Sequence, residues 1–396
     1  MMKHIPVIIY RGGTSRGVFF YAKDIPGDPR ERDAFLLAVM GSPDHHQING
    51  LGGGTPVTSK AVMVYPSHRL NTDVEFLFAQ VAVDRSQVEY LGNCGNLSTA
   101  VGLFAIEEGI VPPQVPITPV NIFNINTEKD LLAEVYVGEN GLNDGGQLIL
   151  PGLGGEGVRI RMTYFDPGGA VTGNILPTSC PINTLNIDGF GSLTVSFVDV
   201  ANPFVFIDAS DLGCKGNELP EEFLRQSELL GLIERIRQAA ASYLGIMDQT
   251  LNSEESTLDV PKIALISPPR SHLCVDGKEL HADEMDIVVR MVADQKPLFA
   301  FAMTGGFCVA GAAAIPGTLV NSMIERVSAH PNRVRIAHPT GVMEVEVKAK
   351  KHEGNTIIES VSIERTARRI MDGHVLIGYN HVYAPGLLHI TQNNTQ

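Results

Sequence analysis

The sequence is short of basic residues. Its 396 residues include 30 Lys and Arg against 44 Asp and Glu, a formal net charge of −14 at pH 7. Proteins that bind nucleic acids usually carry an excess of positive charge, because they must neutralise phosphates. We therefore expect no nucleic-acid partner. An acidic substrate would need a locally positive site in this negatively charged chain.

The sequence also has few cysteines, and no two of them form a Cys-x-x-Cys motif. An odd number of widely spaced cysteines does not predict a disulfide framework or a zinc site, and it is typical of a reducing compartment. We therefore expect no bound metal. The cysteines are Cys94, Cys180, Cys214, Cys274 and Cys308.

No stretch of the sequence predicts a membrane span. The segment from Pro297 to Ile324 has no charged residue and is long enough to cross a bilayer. Because glycines and a proline interrupt it, it predicts a buried loop, helix and turn instead. The first residues, Met1 to Pro6, show no signal peptide. We expect a soluble cytoplasmic protein with no membrane partner.

The length and the order of the predicted elements indicate two similar halves. A chain of 396 residues suits two domains. Strands, a glycine turn and a buried helix occur once around Cys94 and again around residues 302–311. This order predicts an α+β fold, with residues 1–183 and 184–375 as the two halves. The C-terminal residues 376–396 are a candidate addition to the first half.

Local patterns predict several individual elements. Ile5–Tyr10 and Val18–Tyr21 are strand-like runs on either side of a glycine turn, which is typical of a hairpin. Asp28 and Pro29 begin a predicted helix that Gly41 ends. Later in the chain, Asp283 is predicted to cap a helix that reaches Ala293.

The central motif is Asn93-Cys94-Gly95-Asn96, which precedes an apolar-periodic segment that ends at Gly109. It predicts a loop followed by a helix, with Asn96 or Ser98 as the N-cap. The first N–H groups of a helix have no internal acceptor and lie at the positive end of its dipole. They can therefore stabilise a thiolate or bind a carboxylate. Cys94 is a catalytic candidate, and the alternative is one more small buried residue.

Two other glycine-rich turns carry polar residues. The segment Arg11 to Gly17 has two arginines and two hydroxyl groups, which could bind a carboxylate or form a solvated hairpin tip. The turn from Gly50 to Gly54 precedes a strand, whereas a dinucleotide-binding motif needs a helix there. Lys60, between this turn and the strand, is a candidate proton carrier; the alternative is a solvated surface lysine.

Several motifs together resemble the 2-methylaconitate cis–trans isomerase (PrpF-type) family, from residue 11 to residue 368. The motif Asn93 to Asn96 and the segment Ala201-Asn202-Pro203 also resemble diaminopimelate epimerases. The resemblance implies a diaminopimelate-epimerase-like fold, in which each half wraps around a central helix and the active site lies in the cleft between them. The segments resembling the PrpF type are Arg11–Ser15, Gly50–Gly54 with Ser59-Lys60, Asn93–Asn96, Ala314–Asn321 and Arg365–Arg368.

The resemblance implies an isomerase of an unsaturated tricarboxylic acid that needs no metal and no organic cofactor. Lys60 and Cys94 would be its proton-handling pair. The most specific expectation is 2-methylaconitate isomerisation in the 2-methylcitrate route of propionate breakdown. The residues implied in substrate binding are Arg11, Thr14, Ser15, Gly95, Asn96, Asn202, Met303, Thr304, Gly305, Gly306 and Arg365.

The substrate and the partners stay open at this point. Relatives include methylitaconate isomerases and 4-oxalomesaconate tautomerases, which could use the same residues. A non-catalytic alternative is an anion-binding protein that assists an aconitase-like dehydratase. A homodimer is a family-level expectation.

One position separates this chain from the epimerases. They carry a second catalytic cysteine at the start of the second glycine turn, and this chain has Met303 there. A thioether cannot accept or deliver a proton at neutral pH. We therefore do not expect racemisation by two thiols. Cys308 matches a later position inside the helix, where we expect it to pack in the core.

Overall fold

The computed structural model describes residues 3–142, 147–246, 260–293, 296–324 and 332–378. Within these residues the protein is rich in β-structure and has few helices. The helices are Pro29–Met40 (α1), Gly95–Glu107 (α2), Pro220–Leu224 (α3), Ser227–Tyr243 (α4), Met303–Ala314 (α5) and Leu319–Ile324 (α6).

The strands differ widely in length, and the last one runs through 23 residues. They are Lys3–Gly12 (β1), Ser15–Tyr21 (β2), Lys60–Pro66 (β3), Val74–Val81 (β4), Val88–Glu89 (β5), Ile117–Asn124 (β6), Lys129–Tyr136 (β7), Gln147–Leu148 (β8), Gly157–Phe165 (β9), Asn183–Ile187 (β10), Gly191–Val200 (β11), Asn202–Asp208 (β12), Lys262–Ser267 (β13), His272–Leu273 (β14), Glu279–Leu280 (β15), Ile287–Ala293 (β16), Lys296–Pro297 (β17), Arg333–His338 (β18), Gly341–His352 (β19) and Asn355–Ile377 (β20).

Eight strands close into a barrel in the order β1, β2, β3, β4, β6, β7, β9 and β20, with β20 pairing back to β1. The pairs β2–β3 and β4–β6 are parallel and the others are antiparallel. Helix α2 fills the barrel, and its residues Gly95 to Ile106 are all buried. Small residues make this fit possible: a Cβ on Gly102 would lie 2.6 Å from the Cβ of Ala133.

A second sheet surrounds helix α5. Its strands pair in the order β10, β11, β12, β13, β16, β18, β19 and β20. Helix α5 is buried from Met303 to Ala312 and packs against β11, β12, β18, β19 and β20. The opposite face of this sheet packs against α4, where Val205 and Ile263 join Ile233 and Ile236 in one apolar cluster. Helix α1 covers the outside of the first barrel in the same way.

Strand β20 belongs to both sheets. Its residues Asn355–Ser362 pair with β19, and its residues Ala367–Ile377 pair with β1. Across residues 360–367 its other edge pairs with β9. The two sheets therefore separate around residues 363–366, and the pairing with β1 begins before the predicted boundary at residue 375. Of the segment 376–396, residues 379–396 lie outside the described residues.

Several sequence predictions of local structure are confirmed. The first hairpin forms from β1 and β2. The Asp28 carboxylate caps α1, and Gly41 ends that helix in the left-handed conformation. Helix α2 ends at Glu107, and Gly109 follows with a φ of +72°.

The predicted N-cap of α2 is wrong. Cys94 is the N-cap residue, and its side chain makes no capping hydrogen bond. Asn96 and Ser98 lie inside the first turns of the helix. Their side chains are used elsewhere, because Ser98 Oγ donates to the carbonyl oxygen of Gly95 and Asn96 binds the β1–β2 turn.

The predicted helix from Asp283 to Ala293 is also wrong. A single 3₁₀ turn, Ala282–Glu284, precedes strand β16. This strand lies between β13 and β18, and its residues 287–292 are buried on both faces, so apolar residues occur without alternation and Arg290 is the one charged residue among them. A short apolar run of this kind cannot be distinguished from a buried helix by periodicity alone.

The uncharged segment Pro297–Ile324 forms part of the core. It contains helices α5 and α6, which pack against each other. In the described parts of the chain, no helix is both long and apolar enough to cross a membrane.

Candidate active site

The first turns of helices α2 and α5 meet in the interior of the protein. A Cβ on Gly95 would lie 3.0 Å from Cε of Met303 and 3.1 Å from Cγ2 of Thr304. Met303 is 1% exposed and Thr304 is 3% exposed. Both helices therefore direct the positive ends of their dipoles towards one small region, which favours a negatively charged ligand there.

Cys94 lies at the start of α2 and is 8% exposed. The N–H of Ser98 donates to the Cys94 carbonyl oxygen at 3.0 Å, and this is the first bond of the helix. The N–H groups of Gly95 and Asn96 precede it, so they have no acceptor within the helix. The predicted arrangement of a thiol beside free helix N–H groups is therefore present.

A buried tyrosine, Tyr164, forms hydrogen bonds with the residues around Cys94. Asn93 Nδ2 donates to the hydroxyl of Tyr164 at 3.2 Å, and that hydroxyl lies 2.6 Å from Ser98 Oγ. Because Ser98 donates to the Gly95 carbonyl oxygen at 2.8 Å, the phenol is the donor to Ser98. Burial raises the pKa of Tyr164, so the phenol keeps its proton at neutral pH.

Tyr164 was not among the predicted site residues. Its signal in the sequence is its place as a polar aromatic at the end of the alternating strand β9. It follows Ile160 and Met162 on the inward face of the barrel.

Asn202 connects the two helix starts. Its Oδ1 accepts from the N–H of Asn93 at 3.0 Å, and its Nδ2 donates to the Asn93 carbonyl oxygen at 3.0 Å and to Thr304 Oγ1 at 3.3 Å. Ala201, at the tip of the β11–β12 hairpin, has a φ of +64°, a strained value for a residue other than glycine. Asn202 is 1% exposed, and its amide atoms are occupied by protein partners.

The β1–β2 turn lies against the first turn of α2. A Cβ on Gly12 would lie 2.2 Å from the carbonyl oxygen of Asn96, so only glycine permits this approach. Asn96 Nδ2 donates to Thr14 Oγ1 at 2.9 Å and to Ser15 Oγ at 3.4 Å. The structure therefore brings the predicted residues Thr14, Ser15 and Asn96 together.

The side chain of Arg11 lies on the other face of β1. Tyr10, its neighbour, packs inward against Phe104 of α2, and successive residues of a strand point to opposite faces. The Arg11 guanidinium donates to the carbonyl oxygens of Gly13 and Thr366 and to Thr366 Oγ1. Arg11 thus holds the turn to β20, and its guanidinium is not brought to the inner face with Ser15.

Lys60 lies at the start of β3 on the inward face, in line with Val62 and Val64. It is 9% exposed, so it is not a solvated surface lysine. Its Nζ donates to Gln80 Oε1 and lies 5.0 Å from the ring centroid of Phe78. A Cβ on Gly17 would lie 3.0 Å from the Lys60 carbonyl oxygen and 2.6 Å from Leu97 of α2, which locates Lys60 beside the start of that helix.

Arg365 lies on the inward face of β20, where the two sheets separate. It shares this face with Ile363 and Ala367, which belong to the same core as α2 and α5. Arg365 is 7% exposed, its Nη1 makes one 3.5 Å contact to the Glu364 carbonyl oxygen, and its Nε has no partner. Among the described residues no carboxylate pairs with this guanidinium. Burial lowers the pKa of Arg365 to about 10.

His338 was also missed by the sequence analysis. Its Nδ1 lies 3.1 Å from Thr340 Oγ1 at the end of β18. Burial, and secondarily the charge of Arg365, lower the pKa of His338 to about 3. His338 is therefore neutral at physiological pH.

The second glycine pair has a packing role. Gly305 and Gly306 lie inside the first turn of α5, where added Cβ atoms would lie 2.6 Å from the Phe301 ring and 2.4 Å from Met343 Sδ. The N–H of Gly306 already donates to the Ala302 carbonyl oxygen at 3.0 Å. The N–H groups of Met303, Thr304 and Gly305 precede this first helical bond.

Most of the predicted site residues therefore lie around the two helix starts. The described residues contain no group of three or more His, Cys, Asp or Glu side chains arranged to hold a metal ion. Cys308 is buried within α5, and its thiol donates to the Val198 carbonyl oxygen at 3.2 Å. The predicted residues found around the helix starts are Thr14, Ser15, Lys60, Cys94, Gly95, Asn96, Asn202, Met303, Thr304, Gly305 and Gly306.

Comparison with known proteins identifies the family. The family model described as PrpF protein matches residues 2–378 of this chain. The chain belongs to the PrpF protein family. Members of this family are isomerases, and the chain is an isomerase.

Three curated PrpF-like relatives act on different acids according to their names. The chain is 37% identical to 3-methylitaconate isomerase of Eubacterium barkeri over 374 residues, which cover 94% of this chain and 97% of the relative. It is 34% identical to 2-methyl-aconitate isomerase of Shewanella oneidensis over 380 residues, which cover 93% of this chain and 95% of the relative. It is 35% identical to (4E)-oxalomesaconate Delta-isomerase of Novosphingobium sp. over 376 residues, which cover 95% of this chain and 98% of the relative.

Solved structures confirm the relation of the PrpF fold to epimerase folds. A methylitaconate-delta-isomerase has a TM-score of 0.76 at 36% identity, covering 97% of this chain and 98% of that one. A hydroxyproline epimerase from Agrobacterium vitis has a TM-score of 0.55 at 11% identity, covering 94% and 93%. The second likeness concerns the fold alone.

Proposed function

We propose that this PrpF-family isomerase acts on an unsaturated tricarboxylic acid, and most specifically that it interconverts cis- and trans-2-methylaconitate. The observation that carries the proposal is the buried guanidinium of Arg365, which has no carboxylate partner among the described residues. A buried charge is unfavourable unless it is paired. A carboxylate of the substrate would supply that pairing at the place where the two sheets separate.

The helix starts would hold the rest of the acid. The free N–H groups of Gly95, Asn96 and Thr304 are donors for further carboxylate oxygens. When an allylic C–H bond of the substrate breaks, its electron pair enters the conjugated carboxylate and forms a dienolate. Oriented N–H groups stabilise such a developing charge, because they do not need to reorganise during the reaction.

Lys60 and Cys94 would handle the proton. In this proposal Lys60 takes the allylic proton, and either Cys94 or the same lysine returns it to the same carbon. The former double bond has single-bond character in the dienolate, so the two ends can rotate before the proton returns. The reaction is balanced without any oxidant or reductant.

The same proton shift would serve related substrates. Return of the proton to a different carbon would move the double bond, which suits 3-methylitaconate or 4-oxalomesaconate. These two acids are the alternative substrates in our proposal.

The proposal also includes the two halves 1–183 and 184–375 and a cytoplasmic homodimer. It further assigns the enzyme to propionate breakdown, where it would work beside an aconitase-like dehydratase.

Proton NMR in deuterated water tests the proposal directly. The purified protein is incubated with cis- and trans-2-methylaconitate, and we expect interconversion with deuterium entering an allylic position. Interconversion without any deuterium entry after many turnovers would contradict the proton-transfer mechanism, because a lysine amine exchanges its protons with the solvent between turnovers. Absence of exchange with these acids, but exchange with 3-methylitaconate or 4-oxalomesaconate, would replace the substrate assignment. Absence of exchange with all of them would contradict the proposal.

A further inference from the structure

We propose that Gln80 is a positioning residue that holds the amine of Lys60 in place for proton transfer. The inference rests on the proposed function, because Gln80 acts only through Lys60. It concerns a residue on a neighbouring strand that no sequence motif includes.

Gln80 lies directly across from Lys60 in the sheet. Residues 60 and 80 are partners in the β3–β4 ladder, and residues 80 and 89 are partners in the β4–β5 ladder. Alternation along the strands places Gln80 on the same inward face as Phe76 and Phe78. Lys60, Gln80 and Glu89 therefore form a row across the strands β3, β4 and β5.

The orientation of the Gln80 amide is fixed by its own donors. Nε2 donates to the carbonyl oxygen of Pro56 at 3.1 Å and to that of Ser59 at 2.9 Å. A glutamine amide has two N–H donors, and two carbonyl acceptors use both. Oε1 must therefore face the other way, where it accepts from Lys60 Nζ.

The hydrogen bond to Gln80 holds the amine at the end of the flexible Lys60 side chain in one position. A lysine has a four-carbon stem and loses rotamer freedom when its amine is held at one point. The side chain of Lys60 starts from strand β3, and Gln80 binds its amine. The same amine lies 5.0 Å from the centre of the Phe78 ring. Because Gln80 is anchored to the segment just before Lys60, the amine and its own backbone are held as one unit.

The neutral charge of the Gln80 side chain also matters for proton transfer by Lys60. Glu89 is 9% exposed and lies beside Gln80, and Arg85 approaches it with an N–O distance of 3.7 Å. Position 80 therefore lies between Lys60 and Glu89 in the sheet, and the wild-type residue there is neutral. A carboxylate at position 80 would hold the proton more firmly on the amine.

The test compares Gln80→Met, Gln80→Glu and a matched control, Gln114→Met, on an exposed loop. The substrate is the acid with the highest turnover in the NMR panel. For Gln80→Met we expect kcat to fall roughly 10- to 100-fold with KM within about threefold, because a misplaced proton carrier affects the chemical step more than binding. Gln80→Glu should also lose kcat near neutral pH and recover part of it as the pH rises. Gln114→Met should match the wild type.

A double variant separates positioning from a general structural effect. In a Lys60→Ala background, Gln80→Met should cause no further loss, since the residue through which it acts is absent. Additive losses, an effect on KM alone, or unchanged kcat in Gln80→Met would each overturn the proposal. If Gln80→Met does not fold, the pH profile of Gln80→Glu decides: a pH dependence unchanged from the wild type would overturn it.

The outcome for Lys60 distinguishes the two proposals. Full activity in Lys60→Ala would contradict the role of Lys60 and, with it, the role of Gln80. An inactive Lys60→Ala with a normal Gln80→Met would contradict only the inference about Gln80. A crystal structure of Gln80→Met gives a readout without turnover: an amine of Lys60 that keeps its wild-type position would also overturn the inference.

Discussion

Replacing Arg365 by methionine should stabilise the unliganded protein while it weakens the binding of acids. The guanidinium is buried, and among the described residues it makes one long hydrogen bond, to the Glu364 carbonyl oxygen. Methionine has a similar length, carries no charge and suits an apolar core. The substitution therefore removes an unpaired charge and leaves few polar groups without a partner.

The size of the effect follows from the pKa of Arg365. Burial lowers this pKa to about 10, and the difference from its ordinary value corresponds to about 3 kcal/mol of unfavourable charge burial. Near pH 7 the guanidinium is protonated in both the folded and the unfolded chain, so this penalty is constant there. It would be relieved only as the pH rises above 10, where the folded state releases its proton first. For a chain of this length, 3 kcal/mol corresponds to a rise of roughly 4 °C in melting temperature.

Arg290 provides a matched control. It is 2% exposed, and burial also lowers its pKa to about 10. Its donors, however, are bound by the carbonyl oxygens of Glu218, Val289 and Asn217 at 2.6 to 3.0 Å. Arg290→Met would remove these three buried hydrogen bonds, at roughly 1 to 3 kcal/mol each, so it should lower the melting temperature.

Thermal unfolding at pH 7.5 with and without a saturating tricarboxylate measures both effects. A ligand at a hundred times its Kd stabilises a protein by about 2.7 kcal/mol. We expect that increment in the wild type and little of it in Arg365→Met. A variant that melts several degrees below the wild type, or that keeps the full ligand-induced increment, would refute the reasoning.

Three further predictions concern the pair Lys60 and Cys94, the buried Tyr164, and His338. Lys60→Ala and Cys94→Ser should each lower turnover by orders of magnitude while circular dichroism shows an intact fold; a near-normal rate in either variant would contradict the role of that residue. Tyr164→Phe should lower the free energy of unfolding by about 1 to 3 kcal/mol, because Asn93 Nδ2 loses its buried acceptor, and unchanged urea unfolding would argue against this network. His338, with its pKa lowered to about 3, should make the folded protein less stable as the pH falls from 6.5 towards 3, by up to about 5 kcal/mol, since the unfolded chain binds the proton first. His338→Asn should flatten this dependence in acid titrations of stability, and an equally steep curve would count against it.

The sequence alone was sufficient wherever local chemistry decides the structure. Asp28, Pro29 and Gly41 specify the ends of α1 through a side-chain cap, a fixed φ and a left-handed residue. The motif around Cys94 predicted a helix start because small residues and an apolar period follow it. The family resemblance, which extended over most of the chain, rests on such local motifs and is confirmed by the family match.

Predictions from local sequence patterns were wrong where an element is buried on all sides. Apart from Arg290, strand β16 is apolar on both faces because sheet neighbours flank it and both faces are covered, so its sequence does not show the alternation typical of a strand. The N-cap of α2 was misplaced for a related reason. Asn96 is a good capping residue in isolation, but its side chain instead binds the β1–β2 turn, which is distant in the chain.

The tertiary structure alone decided which polar groups find a partner. Asn202 reaches Asn93 across more than a hundred residues, and Gln80 meets Lys60 only because β3 and β4 pair in one particular register. Within the described part of the chain Arg365 has no carboxylate partner, because the pairing of β20 with β19 ends before it and the pairing with β1 begins after it. Sequence patterns report the chemistry of each residue, whereas strand pairing sets its neighbours, and the neighbours decide whether a buried charge finds a partner.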